Sequence, residues 1–405
     1  MRLEGRTVVV GITGGIACYK ACDVVRLLVT AGARVRVVMT AGAREFVTPL
    51  TLQTLSGHPV ATDTFSLTEE SEIGHIRLAD AAEVVVIAPA TANVLGKLAG
   101  GIADDLLTTV LLATRAPLVL APAMNVHMWE HPAVQENVAR LAARGVRIVG
   151  PASGSLACGY EGAGRLVEPD VLVEEILRVL APQDLAGQHV LVTAGPTEEP
   201  IDPVRYVSNR SSGAMGYRLA EAARDRGARV ILVSGPTALA APHGVNLVAV
   251  RSAEEMQQAV AAHVAAATVV IAAAAVSDYR PAQASPSKLK KRDGPLGLEL
   301  VRTPDILKGL GESKGGRLLV GFAAETEDLV ANARRKLEAK NLDLIVANDV
   351  AAPGAGFGVA TNTVVLLRRD GRSRDVPLAT KREVAEEILD EIVALKAGAR
   401  VPAPA

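Results

Sequence analysis

Residues 7–15 read Thr7-Val-Val-Val-Gly-Ile-Thr-Gly-Gly15, and residues 190–197 answer them with Val190-Leu-Val-Thr-Ala-Gly-Pro-Thr197. In each, a continuous aliphatic run stops at a glycine-bearing turn. Runs that are continuous rather than alternating are expected of parallel strands covered on both faces. The first turn leads into a helical pattern with Ala17, Ala21, Val24 and Leu28 on one face. Strand, glycine turn and helix together open a doubly wound α/β sheet, in which ligands sit outside the carboxyl ends of the strands.

Working outward, short apolar runs recur at 35–39, 84–88, 118–121 and 146–149, then at 230–233, 269–273, 318–320 and 344–347. Arg36 and Arg147 interrupt two of them, which predicts positions nearer a sheet edge or a strand start. Both series enter their second strand through Gly-Ala-Arg-Val, at 32–35 and 227–230. The second series takes about thirteen residues longer to get there, and the excess coincides with 201–213, where α/β proteins bind ligands. A helix with Asp170 as N-cap and Leu172, Ile176, Val179 and Leu180 at helical spacing closes the first half. Proline and glycine then break the pattern at 181–188, which predicts domains over 1–185 and 186–405. The expected fold is α/β: two tandem Rossmann-like domains with mainly parallel sheets.

Composition narrows the function classes. The 405 residues are 49% apolar with only ten aromatics, and 43 basic side chains nearly cancel 44 acidic ones. A formal net charge of −1 argues against a general nucleic-acid surface, and few rings are left for base stacking. Cys18, Cys22 and Cys158 cannot form a disulfide framework, so a reducing, cytoplasmic compartment is expected. The chain runs from Met1 straight into a strand without a signal-peptide stretch. The longest apolar run, 264–276, contains Thr268 and is too short to span a bilayer, so no membrane partner is expected.

The chemistry of the first half gathers at strand ends. Gly14 and Gly15 suit either a phosphate at a helix start or a ligand-free tight turn. The second run ends at Thr40, the third in Ala88-Pro-Ala-Thr91-Ala-Asn93, the fourth in Ala121-Pro-Ala-Met-Asn125. Hydroxyls and amides there suit a phosphate and a polar heterocycle, although each asparagine alone also fits loop capping. Cys158 lies in a segment with four glycines among residues 151–165, a setting for an accessible thiol, whereas Cys18 and Cys22 read as packing residues. A lone histidine such as His75 is ordinarily structural. Taken with Phe46-Val-Thr-Pro and Gly101-Ile-Ala-Asp-Asp105, these motifs resemble the flavin-dependent cysteine decarboxylases that act on 4′-phosphopantothenoylcysteine, a flavodoxin-like family.

That resemblance implies FMN bound by Gly14, Gly15, Thr40, Ala88, Thr91 and Asn93. FMN takes a hydride equivalent from the thiol-bearing carbon, the thioaldehyde draws electrons as CO₂ leaves, and the ene-thiol is reduced again. Cys158 matches the proton donor, His75 the active-site histidine and Asn125 the ligand of the substrate carboxylate. Leu166 stands where the family often has Met.

In the second half, Ser208-Asn-Arg-Ser-Ser-Gly213 reads as a polar loop entering a helix. Ala272-Ala-Ala-Ala-Val-Ser-Asp278 ends an apolar run with small residues, and Ser287-Lys-Leu-Lys-Lys-Arg292 suits either a solvated loop or a cationic cover for a triphosphate. Lys336 and Lys340 lie one helical turn apart. Together with Thr303-Pro-Asp-Ile306 and Gly321-Phe-Ala-Ala-Glu-Thr326, these resemble the phosphopantothenate–cysteine ligases, here fused behind a decarboxylase as in the bifunctional bacterial enzymes of coenzyme A biosynthesis. The resemblance implies that 4′-phosphopantothenate reacts with CTP and Mg²⁺ (or Mn²⁺) to an acyl-cytidylate, from which the amine of L-cysteine displaces CMP. Asn209 matches the contact to that intermediate and Lys288 the lysine that forms it. Ala272, Ala273, Ala274, Asp278, Pro304, Asp305, Ile306, Phe322, Lys336 and Lys340 match the substrate and nucleotide contacts. The family's Ser-Asn-His-Ser-Ser-Gly-Lys-Met-Gly appears with Arg210 and Ala214 replacing its basic positions.

A homo-oligomer is implied as well, with trimer contacts in the decarboxylase half and dimer contacts in the ligase half. Two other readings compete. A regulatory flavoprotein without catalysis sits poorly with His75, Asn125 and Cys158 all present. A nicotinamide oxidoreductase lacks a G-x-G-x-x-G with an acidic residue about 20 positions on.

Overall fold

The computed structural model describes residues 3–64, 74–156, 159–291, 296–325, 328–349, 356 and 358–398. The chain divides into two compact units, Met1–Ala181 and Pro182–Ala405.

In the first unit, β1 (Thr7–Ile12), β2 (Arg34–Met39), β3 (Val84–Ala90), β4 (Leu118–Pro122) and β5 (Arg147–Ile148) form a sheet in the order β2-β1-β3-β4-β5. Every neighbouring pair is parallel. The order reverses between β1 and β3, the switch point of a flavodoxin-like sheet. Arg36 and Arg147 do lie on the two edge strands. Alternation along β1 sends Val8 and Val10 to one core with the helices Cys18–Thr30 and Pro169–Leu180. Val9 goes to the other, with the helices Ala92–Gly100 and Leu106–Ala113. Two further strands, β6 (Ala152–Ser155) and β7 (Glu161–Arg165), form an antiparallel hairpin. Glu168, not Asp170, stands at the N-cap position of the helix Pro169–Leu180, and its side chain makes no capping hydrogen bond. Pro169 occupies its first position, where the fixed φ suits the helix, and Asp170 falls in the first turn instead.

The second unit contains β8 (His189–Ala194), β9 (Glu198–Pro200), β10 (Tyr206–Ser208), β11 (Arg229–Ser234), β12 (Asn246–Ala249), β13 (Val269–Ala272), β14 (Tyr279–Pro281), β15 (Leu300–Arg302), β16 (Leu318–Glu325), β17 (Leu344–Asp349), β18 (Thr361–Arg368) and β19 (Ser373–Thr380). Its large sheet runs β12-β11-β8-β13-β16-β17-β18-β19. The six strands from β12 to β17 are parallel and take the dinucleotide-fold order, which reverses between β8 and β13. β18 and β19 add antiparallel. The additional residues after β8 begin with the hairpin β9–β10 and lead to the helix Ala214–Asp225. β14 and β15 pair as a second small hairpin.

Helix starts in this unit follow local chemistry. Ser252 caps the helix Ala253–His263 in a reciprocal box with Glu255. Ser252→Ala is expected to cost about 1 kcal/mol and to lower the melting midpoint of this unit by roughly 2–4 °C, read by thermal unfolding.

Candidate active sites

A cavity of about 1160 Å³ opens where the carboxyl ends of β1 to β4 converge. It is lined from β1 by Thr13, Gly14, Gly15, Tyr19 and Lys20, from β2 by Thr40 and Gly42, from β3 by Thr91, Asn93 and Lys97, and from β4 by Met124 and Asn125. Thr13 ties the first and third turns together across the switch point. Its hydroxyl donates to the Pro89 carbonyl at 2.6 Å and accepts from the Thr91 N–H at 3.2 Å. A Cβ on Gly14 would stand 2.8 Å from the carbonyl carbon of Gly42, so these two turns approach backbone to backbone. On Gly15 it would meet only Thr91 Cγ2, at 3.9 Å.

The helix Cys18–Thr30 starts at this cradle with no side-chain cap at Ala17, which suits an anion at its positive end. Lys20, Lys97 and Arg165 add positive charge to the lining. The Lys97 ammonium donates to Asp104 at 2.6 Å and lies 3.3 Å from Asp105; the Asp104 bond pushes it above the ordinary lysine range. Lys20 bonds Glu168 at 2.9 Å and holds that carboxyl below its ordinary value. A glycine cradle, an uncapped helix start and three cations fit a phosphate-bearing cofactor. Of the residues expected to bind it, Ala88 does not line the cavity. It is fully buried inside β3, packed into the core.

Asn125 caps the helix Val126–Glu130, its Oδ1 accepting from the His127 N–H at 2.9 Å, and faces the cavity. The β6–β7 hairpin closes in beside it. Met124 N–H donates to Gly164 at 3.0 Å, and a Cβ on Gly164 (φ +157°) would lie 2.3 Å from the Met124 carbonyl. Ser155, Leu156 and Arg165 of this hairpin region line the cavity. Cys158 lies outside the described residues; the hairpin on either side of it abuts the Asn125 turn. His75 is not brought into this group. It sits in the helix Gly74–Ala81, off the cavity wall, with a buried Nδ1 that finds no hydrogen-bond partner among the described residues.

In the second unit a cavity of about 430 Å³ lies at the switch point between β8 and β13. Ala272, Ala274, Asp278, Pro304, Asp305, Ile306, Phe322, Lys336 and Lys340 all line it. Ala273 does not: alternation turns it to the opposite side, against the core. The two lysines reach different walls, Lys336 donating to the Phe322 carbonyl at 2.7 Å and Lys340 to Asp305 at 2.9 Å. Burial raises the Asp305 pKa, but the bonds from Lys340 and the Lys308 N–H and the charges of Lys340 and Lys336 outweigh it and keep it below the ordinary carboxylate range.

Asn209 and Lys288 stand outside the lining. Asn209 nevertheless braces it, its Nδ2 donating at 3.1 Å to the carbonyls of Ala275 and Val276, neighbours of the lining Ala274. Lys288 is exposed. Sequence reasoning missed Thr13, Lys20 and Lys97 in the first cavity, and Thr193, Met256 and Arg302 in the second. Arg302 directly precedes the Thr303-Pro-Asp motif, and that adjacency was a usable signal. Among the described residues no cluster of three acidic, cysteine or histidine side chains could hold a metal, and no helix is long and apolar enough to cross a membrane.

Known proteins agree on both units. The family described as Flavoprotein matches residues 1–181, and the DNA/pantothenate metabolism flavoprotein C-terminal domain matches residues 185–395. The coenzyme A biosynthesis bifunctional protein CoaBC of Bacillus subtilis (strain 168) is 54% identical over 397 residues, covering 97% of this chain and 98% of its own. The protein of the same name from Escherichia coli (strain K12) is 46% identical over 398 residues, again 97% and 98%. A solved C-terminal domain of a CoaBC protein aligns at 47% identity and a TM-score of 0.47, over 53% of this chain and 99% of that one.

Proposed function

The chain belongs to the family of bifunctional coenzyme A biosynthesis proteins, and from that membership we propose how its two units divide the work. Residues 186–405 join L-cysteine to 4′-phosphopantothenate at the expense of CTP, and residues 1–185 decarboxylate the product to 4′-phosphopantetheine with FMN. The observation that carries this reading is a ligand cavity at the switch point of each parallel sheet, one cradled by glycines and cations, the other by small residues and lysines.

Bound flavin supplies a two-electron acceptor and donor. Gly14, Gly15, Thr40, Thr91 and Asn93 hold it, and Lys20, Lys97 and Arg165 meet phosphate charge on cofactor and substrate. Asn125 orients the departing carboxylate with a neutral amide, where a cation would stabilise the ground state and retard CO₂ loss. Cys158 donates the proton that accompanies the final reduction.

In the ligase unit, Lys336, Lys340 and Arg302 face the triphosphate, with Mg²⁺ or Mn²⁺ held chiefly by its oxygens. Asp278 meets the ribose or the metal. Lys288 promotes formation of the acyl-cytidylate, and Asn209 supports that intermediate.

The protein acts in the cytoplasm as a homo-oligomer, with trimer contacts in the first unit and dimer contacts in the second. Exposed Ile16, Tyr19 and Met128 beside the first cavity support association there. His75 enters the reaction from a second copy, since it does not line the cavity of its own chain. Co-expressed His75→Asn and Cys158→Ser chains should then recover decarboxylation several-fold above either variant alone. Recovery no greater than the sum of the two would place His75 in the same chain's site as Cys158, and parental activity of His75→Asn alone would place it outside the reaction.

The whole reading is tested in one tube. Purified protein should be yellow and should release CO₂ and pyrophosphate from phosphopantothenate, cysteine, CTP and Mg²⁺. Colourless protein that cannot bind FMN would sink the flavin half. Yellow protein that releases pyrophosphate but no CO₂ would favour a binding flavoprotein.

A further inference from the structure

The cationic segment that carries Lys288 is gripped at one residue, Leu289, by a buried carboxylate and a guanidinium. The Leu289 N–H donates to Asp202 Oδ2 at 3.1 Å, and the Leu289 carbonyl accepts from Arg205 Nη2 at 2.8 Å. Four residues upstream of Leu289, Ser285 N–H donates to the Ile201 carbonyl at 2.9 Å. We propose that Asp202 and Arg205 are positioning residues of the ligase reaction, a clamp that fixes where Lys288 stands. This rests on the ligase reading of Lys288 given above.

The chemistry of Asp202 separates two tasks. Its side chain is fully buried. Oδ1 accepts the N–H groups of Val204 and Arg205, both at 2.8 Å, which shapes the turn of the insertion itself. Oδ2 accepts from Arg205 Nε at 3.0 Å, from its Nη2, and from Leu289 N–H. An asparagine could shape the turn through its one oxygen, but its NH₂ could not accept from Leu289 or from Arg205. The charged carboxylate is therefore needed for the lysine segment and not for the turn. These hydrogen bonds, Arg205 first, hold the Asp202 carboxyl well below the ordinary range and keep it ionised throughout neutral pH.

The segment needs such an anchor because Lys288, Lys290 and Lys291 are exposed neighbours of like charge. Their mutual repulsion favours spreading into solvent, and an error of about 1 Å in the position of a reacting group costs up to 10²-fold in rate. Clamping the peptide next to Lys288, rather than its ammonium, leaves that charge free to meet the substrate.

The test uses the full-length, flavin-loaded protein. Asp202→Asn should lower kcat for CTP-dependent ligation roughly tenfold with KM for CTP little changed, and should speed tryptic cleavage after Lys288, Lys290 and Lys291. Flavin content and decarboxylation of supplied phosphopantothenoylcysteine should stay as in the parent. Added to Lys288→Ala, it should slow ligation no further, because the clamp acts through that lysine. Parental ligation with parental cleavage, or losses that multiply in the double variant, would overturn the proposal. If Lys288→Ala itself ligates normally, the role given to Lys288 falls, and the cleavage rate alone then decides whether the clamp holds the segment. Should Asp202→Asn not fold, Arg205→Ala, at a half-exposed side chain, must show the same cleavage and the same kcat loss.

Discussion

Gly14→Val should give a protein that purifies nearly colourless, with FMN bound roughly 100-fold more weakly. The reason lies in the contact between the first and second strand-end turns. A Cβ at Gly14 would stand 2.8 Å from the Gly42 carbonyl carbon and 2.9 Å from its oxygen, and neither is the tip of a side chain that can rotate away. Relief must come from moving the 40–42 turn, which carries Thr40, or the turn bearing Gly15, and both line the cavity. Overpacking of this kind costs about 1–3 kcal/mol, and the upper end corresponds to roughly 100-fold in affinity. The flavin absorbance per chain and a titration with added FMN read it out. Decarboxylation should fall in step with flavin content, while CTP-dependent release of pyrophosphate remains, because that chemistry belongs to the other unit. Full flavin occupancy in Gly14→Val would show that the cradle at Gly14 is not where the cofactor sits.

The same two turns show what the amino-acid sequence makes legible. Buried parallel strands announce themselves as unbroken runs such as Val8-Val-Val and Val190-Leu-Val, and the two arginines within runs mark edge strands because an edge leaves room for a long side chain to reach water. β18 carries such a run, Val364-Val-Leu-Leu367, that the series above leaves out, and β19 carries none. One alternates buried and half-buried residues and the other is mostly exposed, so their antiparallel place at the end of the second sheet is set by tertiary pairing. Site residues divide in the same way. Gly14, Thr40, Asn93 and Asn125 are visible because each sits where a strand pattern stops. Lys20 and Lys97 are hidden because they lie within helices, Lys20 in a first turn and Lys97 in a second, where a lysine is ordinarily solvated. Only the fold shows that both helices start at one cavity. The alanines of 272–274 are a finer case. Their spacing shows a strand end, but which of them faces ligand depends on the side of the pleat, and Ala273 falls on the other one.

Asn209→Asp should reduce ligation about 100-fold and leave decarboxylation of supplied phosphopantothenoylcysteine unchanged. Asn209 does not line the cavity of the second unit; it braces the segment that does. Its single NH₂ serves two carbonyls, Ala275 and Val276, each at 3.1 Å, while Ala274 and Val276 form part of the wall. Removing the donor leaves both carbonyls short of a partner, at roughly 0.5–1.5 kcal/mol for each bond lost. Aspartate does more than remove it, because it sets an anion against two carbonyl oxygens and against the phosphates of the incoming nucleotide. Together these terms reach about 3 kcal/mol, or roughly 100-fold in rate. Asn209→Ala removes only the donor and should lose nearer tenfold. The difference between the two variants isolates the charge, so kcat and KM for CTP measured on both decide between the possible roles of Asn209. If alanine and aspartate are equally impaired, the side chain acts as a brace for 275–276 and nothing more. If aspartate is far worse and the excess appears in kcat, Asn209 faces charge that develops on the acyl-cytidylate as well.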